Sequence, residues 1–291
     1  MLLNFVSCLK LWIIVSSVKM MRFFLLIMMV LSIAHSDSNT TLSKGQKVLL
    51  SNLALGGAIA AWGFSQWDYG TQDLHSGDEG WFERDTSNGG SDKLGHFYTN
   101  YIITRVFSPL YESWGYSKED AALYASLTSV FASVAVMEIG DATSPEHGFS
   151  NEDSIADLLG AVVGYYWERY PFLADKIDFR VEYRIDFSQK MQSDFTTDYE
   201  HMHHLMAIKA SGFEALNSTY ARYLELHFGY FSRHFDHDSL PIEGRERNVY
   251  AGIGINLSQL LEPIAGGYSK VFNYIQIPYT YLPYNYNFDK E

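Results

Sequence analysis

Three groups of ionisable residues recur at one-turn spacing in the middle of the chain. Asp92 and His96 are four apart, Glu138 and Asp141 three apart, and Asp153 and Asp157 four apart. On a helix these spacings put both members of a pair on one face, and Thr99 and Asn100 extend the first stripe. Carboxylates gathered around a histidine hold a divalent cation, or supply an acid and a base whose charge and tautomer they fix. Read as acid–base machinery, the candidate catalytic residues are Asp92, His96, Glu138, Asp141 and Asp157. Read as a divalent-metal site, the donors are Asp92, His96, Glu138 and Asp157.

Each residue also has a plainer reading. Asp92 and Asp153 stand where helix N-caps are expected, and Asp92 with Lys93 reads equally as a solvated helix end. Glu138 and Asp157 resist it, because each follows or lies inside an apolar helix, where an unpaired carboxylate costs several kcal/mol. The histidines farther on, His201, His203, His204, His227, His234 and His237, lack a helical i, i+4 pair or a cysteine partner, so metal binding there is the weaker expectation.

The elements that must position these residues follow from apolar spacing. Lys47 to Phe64 reads as a first helix, either buried or membrane-inserted. Residues 67–90 are polar and rich in Gly and Asp and read as a long surface loop, the kind of segment that often carries function. A second helix runs from Ser91 to Phe107, ended by Pro109. A third opens at Ser117 with acids in its first turn and continues from Ala121 to Ile139, lined with Ala and Ser. A fourth runs from about Glu152 to Trp167, with Ala156, Gly160 and Gly164 four apart. Small residues at this density let helices approach closely, which predicts a four-helix bundle, with membrane association open.

Beyond residue 170 the period changes. Residues 177–187 alternate apolar and charged positions without a break, the pattern of a half-buried strand. Further strands are expected over His204 to Lys209, Ala221 to Arg233, Asn248 to Leu257 and Val271 to Tyr281. The fold class expected is therefore α+β, a small-residue-rich four-helix bundle followed by a small antiparallel sheet of four to five strands. That supply falls short of the eight strands a transmembrane barrel needs. The aromatics Tyr220, Tyr223, Phe228, Tyr230, Phe231, Tyr274, Tyr279, Tyr281, Tyr284 and Tyr286 nonetheless resemble an interfacial belt, which makes a membrane surface an expected partner beside an envelope protein.

Composition and the amino terminus bound the rest. The chain is 47% hydrophobic and 16% aromatic with a net charge of −13, so a large core is available and a nucleic-acid role is excluded for want of a basic face. Acidic substrates are disfavoured by long-range steering. There is no Gly-rich phosphate loop after a strand, no nucleophile elbow and no cysteine nucleophile expected in the exported chain, so nucleotide chemistry and thiol catalysis drop out. From Met21 one Arg, a short apolar run and Ala34-His35-Ser36 read as a signal peptide after an over-extended start, giving 1–36 as a leader, 37–170 as the helical domain and 171–291 as the β-rich region. The single cysteine, Cys8, precedes that signal, so neither disulfides nor a lipidated amino-terminal Cys is expected in the exported chain. Residence is expected to be the periplasm or the outer membrane, with the inner membrane as an alternative.

The string Asp92-Lys93-Leu94-Gly95-His96-Phe97, then Glu138-Ile139-Gly140-Asp141, then the block from Gly148 through Asn151-Glu152-Asp153 to Asp157 and Ala161, resembles the YfiM-like family of predicted periplasmic lipoproteins. A weaker likeness, through the Asp-Lys-x-x-His-Phe opening, extends to VanZ-like membrane proteins. The resemblance covers about residues 50–168 and implies an envelope location rather than a reaction. Its matched polar positions are Asp92, Lys93, His96, Glu138, Asp141, Asp153 and Asp157. The chain departs from the lipoprotein pattern in having no lipidated Cys, and its carboxy-terminal region exceeds a minimal member. Two functions stand: an envelope protein with a structural or partner-binding role, its polar stripe fixing helix register, or a hydrolase acting on a lipid head group or cell-wall component through a divalent metal or an acid–base set.

Overall fold

The computed structural model describes residues 42–184, 194, 196–235 and 241–290; the expected signal peptide, His237 and the end of the strand expected over 177–187 lie outside them. Four long helices are present. Helix α1, Lys44–Gln66, starts a turn earlier than expected because Ser43 and Gln46 close a reciprocal capping box. Helix α2, Ser91–Ser113, is not ended by Pro109. The proline forfeits one backbone hydrogen bond. The turn beyond it carries Tyr111, which is fully buried against Phe107, Ala121 and Ala125 and hydrogen-bonded to Ser51 (3.0 Å) and Thr128 (2.8 Å), and this anchoring holds the helix together.

Helix α3 spans Lys118–Asp141, capped by Ser117 as its sequence suggested. From Phe131 to Glu138 it winds as a π-helix, a wider coil common at functional sites, and Glu138 is its last residue. Helix α4, Asn151–Arg169, is capped by Ser150, whose hydroxyl accepts the Asp153 N–H (3.1 Å). The two capping expectations therefore fail: Asp153 lies in the first turn rather than at the cap, and the cap of α2 is Gly90, with φ +85°, rather than Asp92. Asp92 and Lys93 are no solvated end either, since both are buried. Helices α2 and α4 pack through the expected small residues. A Cβ on Gly160 would sit 2.1 Å from the Phe97 carbonyl oxygen, and one on Gly164 2.6 Å from Thr104 Cβ.

A short helix α5, Pro171–Lys176, leads into one six-stranded sheet: β1 Ile177–Tyr183, β2 Met202–Lys209, β3 Leu224–Arg233, β4 Glu246–Ile255, β5 Ile275–Gln276 and β6 Tyr281–Asn287. The order is β5-β1-β2-β3-β4-β6, antiparallel except for the β1–β5 pair. One more strand is present than expected, because the single strand read over Val271 to Tyr281 divides into the end of a 3-10 turn, the two-residue β5 and the first residue of β6. Residues 220–223 likewise form a 3-10 turn, so β3 starts at Leu224.

Strands β5 and β6 lie on opposite edges yet are joined by only the segment 277–280, so the sheet must curl until its edges meet. Arg184, just past β1, hydrogen-bonds the hydroxyl of Tyr281 at the start of β6 (3.0 Å). Inside this curl the alternation runs opposite to the ordinary sense. Asp178, Arg180 and Glu182 are the buried residues of β1, while Ile177, Phe179 and Val181 face outward and are only half-buried. The interior charges are paired: Arg180 holds Glu225 through two bonds (2.6 and 2.9 Å), Lys209 holds Asp178 (2.9 Å) and His227 binds Glu225 (2.7 Å). Helix α2 covers part of the apolar outer face, Phe97 and Tyr101 meeting Phe179 at ring distances of 5.1 and 5.4 Å.

Candidate functional site

Helices α2, α3 and α4 bring Asp92, His96, Asp141 and Asp157 to one cleft of about 480 Å³, with Glu138 buried beside His96. His96 projects from α2 and remains 14% exposed. Its Nδ1 lies 3.1 Å from Asp157 Oδ1 on α4 and 3.8 Å from Glu138 Oε1 at the end of the π-helical turn; its Nε2 lies 3.7 Å from Asp153 Oδ1. Asn100, one turn along α2, fixes the arrangement by donating to Asp157 Oδ1 (2.6 Å) while its own carbonyl accepts from Ser133 of α3 (3.0 Å). Glu138 accepts the Ser150 N–H (3.1 Å), which ties the end of α3 to the start of α4.

Asp92 turns toward Lys93 instead of His96. The buried Lys93 ammonium sits 2.9 Å from Asp92, 2.8 Å from Asp153 and 2.7 Å from Glu79. Asp141 lines the same cleft near Tyr69, whose hydroxyl donates to the Met137 carbonyl (3.2 Å). Two arginines of the bundle are engaged away from the cleft, Arg105 with Glu168 (2.7 Å) and Arg169 with Glu119 (3.2 Å).

Among the described residues two trios of donor groups each have their atoms within 4.8 Å of one another: His96, Glu138 and Asp153, and Glu79, Asp92 and Asp153. The four donors expected from sequence are thus divided between two neighbouring groups, with Asp153 shared and Asp157 acting on His96 from the side. Sequence reasoning set Asp153 aside as a cap and missed Glu79. The spacing of Asp153 to Asp157 was the available signal for the first, while Glu79 lies in the irregular 67–90 segment, where no periodicity exists to read. That segment is held over the cleft by a bridge from Ser76 to Phe149 and by His75 Nε2 at the His147 carbonyl (2.9 Å).

The electrostatics are lopsided. Burial disfavours a charged His96, but Asp153, Asp157 and Glu138 outweigh it and raise its pKa well above the ordinary value. Burial pushes the Glu138 carboxyl up to about 8, with Asp153 and Asp157 adding to it against the opposing pull of His96. Burial likewise raises Asp141 to about 6 and raises Glu79. Glu138 Oε1, Asp157 Oδ2 and Asp92 Oδ1 are buried and accept no hydrogen bond. Carboxylates therefore outnumber the cations facing them, and several oxygens remain unsatisfied.

Comparison with known proteins adds one finding. Residues 78–169 match a family described as predicted periplasmic lipoprotein (DUF2279). The stretch takes in every candidate residue from Glu79 to Asp157, and the likeness supports an exported, periplasmic location. No curated protein and no solved structure matches the chain.

Proposed function

We propose that the chain is a cell-envelope protein whose cleft binds a divalent cation and uses it in hydrolysis at the polar head of an amphiphile. The observation that carries the reading is the pair of fully buried carboxylates, Glu138 and Asp157, each with an oxygen that accepts no hydrogen bond, beside a cleft-facing histidine. A stripe serving only to fix helix register would pair those oxygens, since an unsatisfied buried carboxylate is costly.

His96, Glu138 and Asp153 are the residues that would hold the cation, which would act as a Lewis acid and lower the pKa of a bound water. Asp157, accepting from His96 Nδ1–H, fixes the tautomer that leaves Nε2 facing Asp153 and the cleft. Lys93 is a fixed positive charge nearby, held by three carboxylates. The cleft is walled in part by the apolar side chains of Leu55, Ile59, Ile103 and Met137, which suits a substrate carrying an apolar tail.

Elemental analysis of the protein purified without chelator tests this, beside Glu138→Gln and Asp153→Asn variants. One equivalent of a divalent metal in the parent, lost in both folded variants, is the expected result. The absence of metal in the parent, together with a melting temperature that does not move on adding millimolar zinc, manganese, magnesium or calcium, would overturn it.

A further inference from the structure

The outer face of the curled sheet is apolar where helix α2 does not cover it. On β3, β4 and β6 the outward positions include Leu226, Phe228, Ile253, Leu282, Tyr284 and Tyr286, of which Ile253 is 56% exposed, Leu282 82% and Tyr284 80%. The register places them in one continuous patch, Phe228 opposite Ala251 and Ala251 opposite Tyr284, Leu226 opposite Ile253 and Ile253 opposite Leu282. No ionisable carboxylate or basic side chain lies among these positions. The charges near the middle of β3 turn instead into the buried interior, where Glu225 and His227 are paired.

We infer that this face is seated in the hydrocarbon of a lipid bilayer. Three observations select lipid over a protein partner. A soluble sheet buries its apolar alternates and exposes its charges, and here the sense is reversed, as in sheets whose solvent is lipid. A protein interface carries a polar rim and about one hydrogen bond per 100–200 Å², whereas tyrosine hydroxyls are the only side-chain donors on this patch. Two helices of the same chain, Lys44–Gln66 and Lys118–Asp141, are long and apolar enough to cross a membrane and present leucines outward, among them Leu49, Leu53 and Leu127. The exposed Tyr220, Tyr268 and Tyr279 suit the edge of such a face, where an aromatic ring meets head groups. The inference is independent of the proposed chemistry of the cleft.

The full chain, with Cys8→Ser and Leu282→Cys labelled by a polarity-sensitive fluorophore, is mixed with uncharged phosphatidylcholine vesicles. A blue shift that persists at high salt, absent from the same label at Glu214→Cys, is expected. A combined Ile253→Asp, Leu282→Asp, Tyr284→Asp variant should lower the vesicle-bound fraction by about tenfold or more with unchanged circular dichroism, since these side chains are mostly exposed. No shift with vesicles, or a shift that appears with rising protein concentration alone and so marks a second copy on the face, would overturn the inference.

Discussion

At the scale of single residues, the cleft turns on charge that burial cannot tolerate and neighbours cannot cancel. Glu138 has a folded pKa of about 8, above its ordinary value of 4.5, so it takes up a proton on folding between those values. Its contribution to stability is therefore complete below about 4.5 and lost as pH rises through about 8. Without added cation, Glu138→Gln should flatten that decline and, at pH 9, raise stability by about 2–4 kcal/mol, because a neutral amide replaces a buried charge while its carbonyl still accepts the Ser150 N–H. Thermal melts of parent and variant at pH 5 and pH 9 check this. Equal stability differences at both pH values would show that the carboxyl titrates normally.

At the scale of elements, the site depends on how closely α2 and α4 approach. His96 is on one helix and Asp153 and Asp157 on the other, and the helices touch at Gly160, where nothing separates the α4 backbone from the Phe97 carbonyl. Gly160→Ala puts a carbon 2.1 Å from that oxygen, so the helices must part. Overpacking of this kind costs about 1–3 kcal/mol, and here it also lengthens the His96–Asp157 bond. The expected outcome is a lower melting temperature together with weaker cation uptake measured by calorimetry. Gly57→Ala, which adds a Cβ that meets nothing within 4 Å, is the control that should lower neither.

At the scale of the whole molecule, the helical layer meets the outer face of the sheet, and His204 sits at that junction, its ring 6.4 Å from Tyr98. Burial lowers its pKa to about 4, and burial with the neighbouring Arg233 and Arg184 lowers that of His203 to about 2. The unfolded chain therefore binds protons that the folded one refuses, and stability falls as pH drops from about 6.5 toward 4. His204→Leu should remove about 2–3 kcal/mol of that acid sensitivity, read from denaturant midpoints at pH 7 and pH 4.5. A variant that loses stability in parallel with the parent would show that His204 is not the group that titrates.

The division between sequence and tertiary structure follows the range of the interactions. Helices α1 to α4, the cap at Ser117 and the Gly160 contact are legible locally, because apolar spacing, first-turn acids and small residues act within a few turns. The one-turn pairs pointed to His96, Glu138 and Asp157, since an ionisable group inside an apolar helix is conspicuous by itself. Local reading failed wherever a distant partner decides. Pro109 stays helical because Tyr111 is locked to Ser51 and Thr128. Asp92 serves Lys93 and not His96, and Glu79 arrives from an aperiodic segment. The expected aromatic belt divides, with Tyr281 and Phe231 packed on the inner side and Tyr284 and Tyr286 outside. The strict alternation of residues 177–183 determined a strand with two unlike faces. Which face is inside was decided only by distant partners, above all Glu225 of β3, which neutralises Arg180, because a buried charge needs an opposite charge that its own local sequence does not guarantee.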